Sequence, residues 1–136
     1  MAIIGYDDIA DYIRNNYPEG SRIVEVGVGR LPETAELLSK DFDLICTDIH
    51  ETGPAGINYV KDDIFKPDLS IYEGARLIYS IRPPVDMQDS MAMIARDVGA
   101  NLIIRPFSSE RTDLGKYFKN FKCVNYRSAT FFLYTN

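Results

Sequence analysis

Two glycines, Gly27 and Gly29, lie between a short β-branched segment and a segment with helical periodicity. Glycines at a strand-to-helix junction permit a tight turn and let a ligand approach the backbone closely. Glu25 precedes them, and a carboxylate is costly to bury at the end of an apolar strand unless another group pairs with it. That group could be the ammonium of a ligand, a backbone amide or a nearby arginine. The segment is a candidate ligand-binding loop.

Carboxylates also follow the next two apolar segments of the chain. Asp48 comes roughly 20 residues after Gly27, a spacing at which an acidic side chain can accept hydrogen bonds from both hydroxyls of a ribose. Asp62 and Asp63 follow the third segment, and one of them could accept a hydrogen bond from an adenine amino group. The alternative for each is an ordinary loop or capping carboxylate. His50 is interpreted as an exposed loop residue.

The tripeptide Ile-Arg-Pro occurs at the ends of two later apolar segments, and its arginines are Arg82 and Arg105. If the two strands are neighbours, the guanidinium groups lie close together and repel each other unless an anion lies between them. We therefore predict a pocket for a carboxylate, a phosphate or an RNA backbone, with both arginines as candidate catalytic residues. The alternative is that they pair with structural carboxylates such as Glu25, Asp62 or Glu110.

Apolar periodicity and turn residues predict an alternation of strands and helices along the chain. The helix over 86–98 has Asp86 as a candidate cap and carries a stripe that includes Met87 and Met91, interpreted as core. The last two strands are joined by so few residues that they must pair antiparallel. Strands are predicted over 22–26, 44–47, 57–60, 77–81, 102–104, 121–126 and 130–134, and helices over 7–16, 32–40, 86–98 and 112–120.

This alternation predicts a single α/β domain over residues 1–136, with a three-layer Rossmann-like architecture. The sheet is expected to be twisted and mostly parallel, with an antiparallel C-terminal hairpin. In such folds ligands bind outside the carboxyl ends of the strands, where the strand order reverses. The candidate residues above therefore all fall at one edge of the predicted sheet.

Composition excludes several classes of protein. A hydrophobic fraction of 46% and a charged fraction of 26% are ordinary for a folded domain, and no apolar run is long enough to span a membrane. Without a signal peptide, and with Cys46 and Cys123 in apolar runs, we expect a cytoplasmic protein with buried thiols. With one histidine and no cluster of cysteine and histidine, no metal site is expected.

The charge balance bears on partners. The net charge of −5 disfavours a broad nucleic-acid-binding surface, and DNA is not expected as a partner. The C-terminal part is nevertheless basic and rich in aromatic residues, a combination that could contact single-stranded RNA. Its basic residues are Arg111, Lys116, Lys119, Lys122 and Arg127.

Motifs of other enzyme classes are missing. The chain contains neither the Gly-x-Ser-x-Gly elbow of hydrolases nor a phosphate-binding loop of the Gly-x-x-x-x-Gly-Lys-Ser/Thr type. Pro32 stands where the third glycine of the dinucleotide fingerprint would fall, and Glu33 puts a carboxylate where a pyrophosphate would bind. Both features count against NAD as the cofactor.

The segments Val-Glu-Val-Gly-Val-Gly, Thr-Asp-Ile and Asp-Asp-Ile-Phe resemble the first three motifs of class I S-adenosylmethionine-dependent methyltransferases. The resemblance covers nearly the whole chain and implies the strand order 3-2-1-4-5-7-6 with an antiparallel last hairpin. It implies that S-adenosylmethionine is the cofactor. By this resemblance Glu25, Gly27 and Gly29 surround its methionine part, Asp48 and the adjacent Ile49 its ribose, and Asp62 or Asp63 its adenine, with Ser80 completing the cofactor-binding set.

A narrower resemblance rests on Tyr-Ser-Ile-Arg-Pro-Pro and Ile-Ile-Arg-Pro, which look like a small uncharacterised archaeal family of Rossmann-like proteins. Amino-group methyltransferases often carry Asn or Asp before Pro-Pro and an aromatic residue after it. Here Arg82 and Val85 occupy those positions, and an arginine offers hydrogen-bond donors but no acceptor. Methylation of an exocyclic amine by that route is therefore not expected.

Three functions follow as hypotheses. The leading one is a protein that binds S-adenosylmethionine and transfers its methyl group to a small anionic acceptor. The second is a non-catalytic nucleotide-binding or regulatory module that retains the fold without the chemistry. The third, a dinucleotide-dependent enzyme, is disfavoured by Pro32 and Glu33.

Overall fold

Seven strands form one sheet in the computed structural model, which describes residues 5–106 and 112–136. The strand order is β3-β2-β1-β4-β5-β7-β6; β1 to β5 run parallel, and β7 pairs antiparallel with both β5 and β6. The predicted mostly parallel sheet with a closing hairpin is confirmed. The strands are β1 Arg22–Val26, β2 Asp43–Asp48, β3 Tyr59–Lys61, β4 Ala75–Ile81, β5 Asn101–Arg105, β6 Asn120–Tyr126 and β7 Ala129–Thr135.

Helices cover both faces of the sheet and make three layers. α1 (Tyr6–Asn16) and α2 (Glu33–Leu38) pack on one face, and α3 (Val85–Val98) packs on the other. Successive residues of each central strand alternate between the two cores, so that Ile23 joins the α1 and α2 side whereas Val24 joins the α3 side. Burial on both faces explains why these strands read as continuous apolar runs.

The ends of α3 differ in part from the sequence prediction. Pro84 occupies the N-cap position, and Asp86 lies in the first turn without a capping hydrogen bond, so the prediction that it caps the helix was wrong. Its carboxylate still lies near the positive end of the helix dipole. Gly99 ends the helix with φ +78°, a left-handed conformation that glycine adopts without steric cost.

The predicted helix over 112–120 is absent from the structure. The Asp113 side chain accepts a hydrogen bond from the Gly115 amide at 2.9 Å, a local turn that competes with helical pairing. One turn follows, in which Tyr117 and Phe118 donate their amides to the Leu114 carbonyl. The side chains of Leu114, Tyr117 and Phe118 are buried. The spacing of apolar residues over 112–120 therefore reflects packing in the core and not a helix.

The two cysteines are both free but lie in different environments. Cys46 is buried in β2, and burial raises the pKa of its thiol. Cys123 is exposed, so the expectation that both thiols are buried was wrong. It lies on β6, the edge strand that pairs only with β7, and of that strand only Val124 is buried.

None of the helices within 5–106 and 112–136 is both long enough and apolar enough to cross a bilayer. The expected cytoplasmic location stays a prediction.

Candidate functional site

A cavity of about 430 Å³ opens where β1, β2 and β4 end, on the sheet edge that the strand pattern predicted. Its size lies within the roughly 300–1,000 Å³ typical of small-molecule pockets. Because β1 lies between β2 and β4, the strand order reverses at this point, as in other open α/β sheets that bind ligands there. Its lining includes Gly27, Asp48, Ile49, Asp62, Asp63, Phe65, Ser80, Arg82 and Met87.

The loop after β1 adopts a conformation that requires its glycines. Gly27 has φ +74° and Gly29 has φ +56°, both in the left-handed region that other residues enter at a steric cost. The Gly27 amide donates to the Thr47 carbonyl at 2.8 Å, which fixes the loop against β2. A side-chain carbon on Gly27 would come no closer than 3.9 Å to Ser80 Oγ, so the backbone conformation rather than crowding demands glycine.

Asp48 connects the end of β2 to that loop. Its Oδ2 accepts a hydrogen bond from the Gly29 amide at 2.8 Å, and its Oδ1 accepts one from the Ile49 amide at 2.7 Å. Each carboxylate oxygen retains a second lone pair that could accept from a ligand hydroxyl. His50 Nε2 lies 3.9 Å from Oδ1 on a side chain that is 70% exposed, in agreement with its predicted place on a loop.

The two carboxylates after β3 have different surroundings. Asp62 accepts from the Tyr72 hydroxyl at 2.8 Å and from the Asp68 amide at 2.9 Å, so both of its oxygens are engaged by the chain. Asp63 Oδ1 accepts from the Phe65 amide at 2.9 Å, and among the described residues its Oδ2 has no hydrogen bond. Asp63 is therefore the freer acceptor of the pair.

Glu25 is buried beneath the glycine loop, not on the wall of the main cavity. It is 2% exposed, and its Oε1 accepts a hydrogen bond from the Tyr79 hydroxyl at 2.6 Å. Burial raises the pKa of Glu25 to about 7, against the lowering effect of the Tyr79 hydrogen bond. The partner is thus a phenol, which the sequence interpretation had not considered. Glu25 also lines a recess of about 140 Å³ beside the cavity, together with Gly27, Val28, Gly29, Arg30, Leu31, Ile81 and Arg82.

Two apolar side chains that the sequence analysis did not assign to the cavity, Met87 and Phe65, also line it. Met87 at the start of α3 lines the cavity and also packs against the core, in which its stripe partner Met91 is fully buried. The interpretation of the stripe as core is therefore confirmed, and Met87 contacts the cavity in addition. Phe65 is 54% exposed and Ile49 is 61% exposed, and both line the cavity. The Phe of Asp-Asp-Ile-Phe was the signal that could have identified Phe65.

The two arginines end neighbouring strands, as predicted. In the register of β4 and β5, Ile81 pairs with Arg105, and the Arg82 amide donates to the Arg105 carbonyl at 2.6 Å. Arg82 is exposed, lines both the cavity and the recess, and has φ +57°, a strained conformation for a residue with a side chain. Arg105 lines neither of them.

Among the described residues of the basic C-terminal part, two of the aromatic side chains are buried, and Phe121 is 44% exposed. Tyr117 and Phe118 are buried, and Arg127 packs over the Tyr126 ring and pairs with Asp11 of α1. Arg111 and Glu110 lie outside the described residues. RNA as a partner is not supported by this arrangement.

A model of one family, described as Uncharacterised protein family (UPF0146), matches residues 6–136 of the chain. The UPF0146 protein of Archaeoglobus fulgidus is 42% identical over 127 residues, which cover 92% of this chain and 91% of that protein. The UPF0146 protein of Methanocaldococcus jannaschii is 39% identical over 132 residues, which cover 92% and 93% respectively. Both organisms are archaea, as the narrower resemblance implied.

Similar folds occur among solved methyltransferases. A TehB-like SAM-dependent methyltransferase from Corynebacterium glutamicum aligns with a TM-score of 0.65 at 15% identity, covering 95% of this chain and 87% of that one. An rRNA methylase from Streptococcus thermophilus aligns with a TM-score of 0.59 at 12% identity, covering 98% and 95%. Magnesium protoporphyrin IX methyltransferase from Synechocystis with bound SAM gives 0.60 at 12% identity, covering 95% and 76%. At these identities the likeness shows the fold, which is that of the class I methyltransferases.

Proposed function

This chain belongs to the uncharacterised protein family UPF0146, and we propose that it binds S-adenosylmethionine in the cavity at the ends of β1, β2 and β4. The observation that carries the proposal is the hydrogen bond between the Gly29 amide and Asp48 Oδ2. It joins the glycine loop to the carboxylate suited to a ribose, beside one small-molecule cavity. The solved proteins of the same fold include one with bound SAM.

The residues at the cavity fit the nucleoside part of this cofactor. Asp48 would accept hydrogen bonds from the ribose hydroxyls, since each of its oxygens has a lone pair beyond those used by the backbone amides. Asp63 would accept from the adenine amino group, because its Oδ2 has no hydrogen bond among the described residues, whereas each oxygen of Asp62 already accepts one. Exposed Ile49 and Phe65 offer apolar surface for the base.

The recess beside the cavity suits the methionine part. Its wall is the glycine loop, where Gly27 and Gly29 allow close approach of a ligand to the backbone. Glu25 lies at the same recess, and an ammonium group there would favour its ionised form. Together with Asp48 and Asp63, this carboxyl makes the site favourable to a cationic ligand.

S-adenosylmethionine, when bound, would supply a methyl group activated by a positively charged sulfur. The chain would then contribute position and orientation, and holding donor and acceptor in line can account for a large part of a methyl-transfer rate. No acid–base group needs to be assigned for this role. Met87 and Ser80 would form the wall of the cavity towards the acceptor side at β4.

Thermal unfolding with S-adenosylmethionine, S-adenosylhomocysteine and NAD in parallel tests the proposal. A ligand at 100 times its dissociation constant adds about 2.7 kcal/mol. In a domain of this size that corresponds to a rise in Tm of roughly 8–16 °C. We expect the first two ligands to raise Tm and NAD to leave it unchanged. Asp48→Asn should weaken binding about tenfold or more, because an amide nitrogen replaces one accepting oxygen.

Asp7→Asn is the matched control, since it removes the same charge from an exposed position. Within the described residues, the Asp7 side chain accepts a hydrogen bond only from the neighbouring Asp8 amide. Its Tm shifts should equal those of the wild type. No shift with either sulfur ligand at millimolar concentration contradicts the proposal. Once binding is established, consumption of S-adenosylmethionine with candidate acceptors separates a methyltransferase from a non-catalytic module of the same fold.

A further inference from the structure

The carboxyl ends of β4 and β5 bring two guanidinium-bearing residues together beside the proposed cofactor site. Arg82 and Arg105 are joined through a backbone hydrogen bond of 2.6 Å, and each is followed by a proline that restricts the chain. Arg82 also has φ +57°. A strained backbone that persists at a cavity wall indicates that the surrounding structure holds the residue in place.

Arg105 carries an unsatisfied cationic group. Its Nη1 atom is inaccessible to solvent and has no hydrogen-bond partner in the described part of the chain. Burial, and next the charge of Arg82, lower the pKa of Arg105. A buried donor without an acceptor is costly, and the cost is larger for a charged donor. An anion at this point would supply the hydrogen-bond acceptor that Nη1 lacks. It would also weaken the repulsion between the two guanidinium groups.

The carboxylates named above as alternative partners are engaged elsewhere. Glu25 is bonded to Tyr79, and both oxygens of Asp62 are bonded to Tyr72 and Asp68. Within residues 5–106 and 112–136, no carboxylate forms an ion pair with Arg105. Pairing with Glu25 or Asp62 is therefore not the role of Arg105, and Glu110 lies outside the described residues.

We propose that Arg105, with Arg82 beside it, binds the carboxylate or phosphate group of a small acceptor molecule. This inference rests on the proposed function, because it places the acceptor where β4 and β5 end, next to the part of the cavity wall that Arg82 forms. A guanidinium binds either oxyanion through two parallel hydrogen bonds, which would fix the orientation of the acceptor as well as its charge. Both arginines are thus acceptor-binding residues, and this role explains why Arg82 precedes Pro-Pro here.

Charge favours a small acceptor over an RNA strand. The cavity wall away from the arginines carries Asp48, Asp62 and Asp63, and the whole chain has a net charge of −5. A polyanion extending across this edge would meet those carboxylates, whereas a single oxyanion meets only the guanidinium groups. The carboxylate of the cofactor itself is another oxyanion source, and Arg82 borders the recess proposed for it. Arg105 borders neither the cavity nor the recess, so saturation with S-adenosylhomocysteine is needed to separate the two sources.

The test is an NMR titration that observes the Arg105 side-chain Nε–H resonance in the wild type and the backbone amide resonances of β4 and β5 in the wild type and every variant. Inorganic phosphate and malonate are added at constant ionic strength to protein saturated with S-adenosylhomocysteine, and in parallel to free protein. We expect saturable shifts with at least one anion in both states, at least tenfold weaker binding in Arg105→Gln, and partial recovery in Arg105→Lys. Arg76→Gln is the matched control, because Arg76 is an exposed arginine at the opposite end of β4, and its anion affinity should equal that of the wild type.

A structural role for Arg105 predicts different results. If Arg105→Gln retains anion binding and lowers Tm, the residue is part of an ion pair and the inference is wrong. We expect instead an unchanged or higher Tm without anions, since the substitution removes a charged side chain whose Nη1 atom is buried without a hydrogen-bond partner in the described part of the chain. Loss of anion binding when S-adenosylhomocysteine is present assigns the site to the cofactor carboxylate and also overturns the inference.

Two further outcomes separate the remaining cases. If a single-stranded RNA oligonucleotide binds far more tightly than phosphate, with an affinity that falls steeply with salt, the acceptor is a nucleic acid and the small-molecule inference is wrong. If S-adenosylhomocysteine fails to bind the wild type, the proposed function fails, whereas the titration of free protein still reports the anion site. The two failures are therefore distinguishable.

Discussion

Glu25 shows how one buried carboxyl can make the stability of the fold depend on pH. Its pKa of about 7 in the folded protein exceeds the ordinary value of 4.5, because burial disfavours the charged form. The folded state therefore binds more protons than the unfolded chain between these two values. As far as it depends on Glu25, the free energy of unfolding is highest below pH 4.5. It falls by about 3 kcal/mol in all as the pH rises through about 7.

Glu25→Gln should remove this dependence. The amide keeps the size of the side chain and an oxygen for the Tyr79 hydroxyl, but it has no charge to bury. We expect the variant to lose less stability than the wild type between pH 4.5 and 8, measured by urea unfolding at several pH values. Glu36→Gln, a charge removal at an exposed site on α2, is the control and should keep the wild-type slope. Equal slopes in wild type and Glu25→Gln would contradict the prediction.

At the scale of elements, the contact between α1 and the β6–β7 hairpin is held by polar groups at the hairpin turn. Asp8 accepts hydrogen bonds from the amide and the hydroxyl of Ser128, and Arg127 Nη1 lies 3.1 Å from Asp11 Oδ2. Arg127 has φ +56°, so the turn has a left-handed residue at the position where tight hairpins favour glycine. The contacts to α1 offset that strain.

Asp8→Ala should therefore lower Tm by a few degrees more than Asp7→Ala. Both substitutions remove a charge from the first turn of α1, so their effects on the helix dipole are similar. Of these two residues, Asp8 is the one that hydrogen-bonds to the hairpin. The difference in Tm between the two variants therefore isolates that contact. Differential scanning calorimetry of the pair measures it. A smaller loss in Asp8→Ala than in Asp7→Ala would show that the hairpin turn does not depend on the helix.

At the scale of the molecule, the sheet formed by the described residues has a protected centre and two edge strands, β3 and β6. β1 and β4 each pair with a strand on both sides, and helices cover both faces around them. β3 has three residues and forms one edge, and β6 forms the other with mostly exposed side chains. The ligand-binding residues lie at the ends of central strands, where the backbone is most rigid.

Native-state hydrogen exchange should reflect this arrangement. We expect amides of β1 and β4 to exchange only through global unfolding, and amides of β6 that face away from β7 to exchange through openings of lower free energy. Mass spectrometry or NMR at several denaturant concentrations measures these free energies. Equal protection of β6 and β1 would show that the outer edge is covered, for example by a second copy of the chain.

The sequence by itself determined the architecture, because that information is local. The apolar pattern and the composition of a strand such as Arg22–Val26 are visible in the sequence itself. An alternation of strands and helices is compatible with only a few sheet topologies. The left-handed glycines and the carboxylates at strand ends were readable for the same reason. The resemblance of the motifs to those of methyltransferases supplied the strand order, which the structure confirms.

Only the tertiary structure decided which partner each polar group takes. The hydrogen bond between Glu25 and Tyr79 joins strands far apart in sequence. The bond between Asp62 and Tyr72, and the missing partner of Arg105 Nη1 in the described part of the chain, depend on how the segments after the strands pack. The exposure of Cys123 likewise follows from which side of an edge strand faces the core. The turn after Thr112 goes with the burial of Leu114, Tyr117 and Phe118. The spacing of apolar residues along the chain reveals whether a segment is a strand or a helix. Hydrogen bonds between elements depend on strand register and burial, which exist only once the sheet has formed.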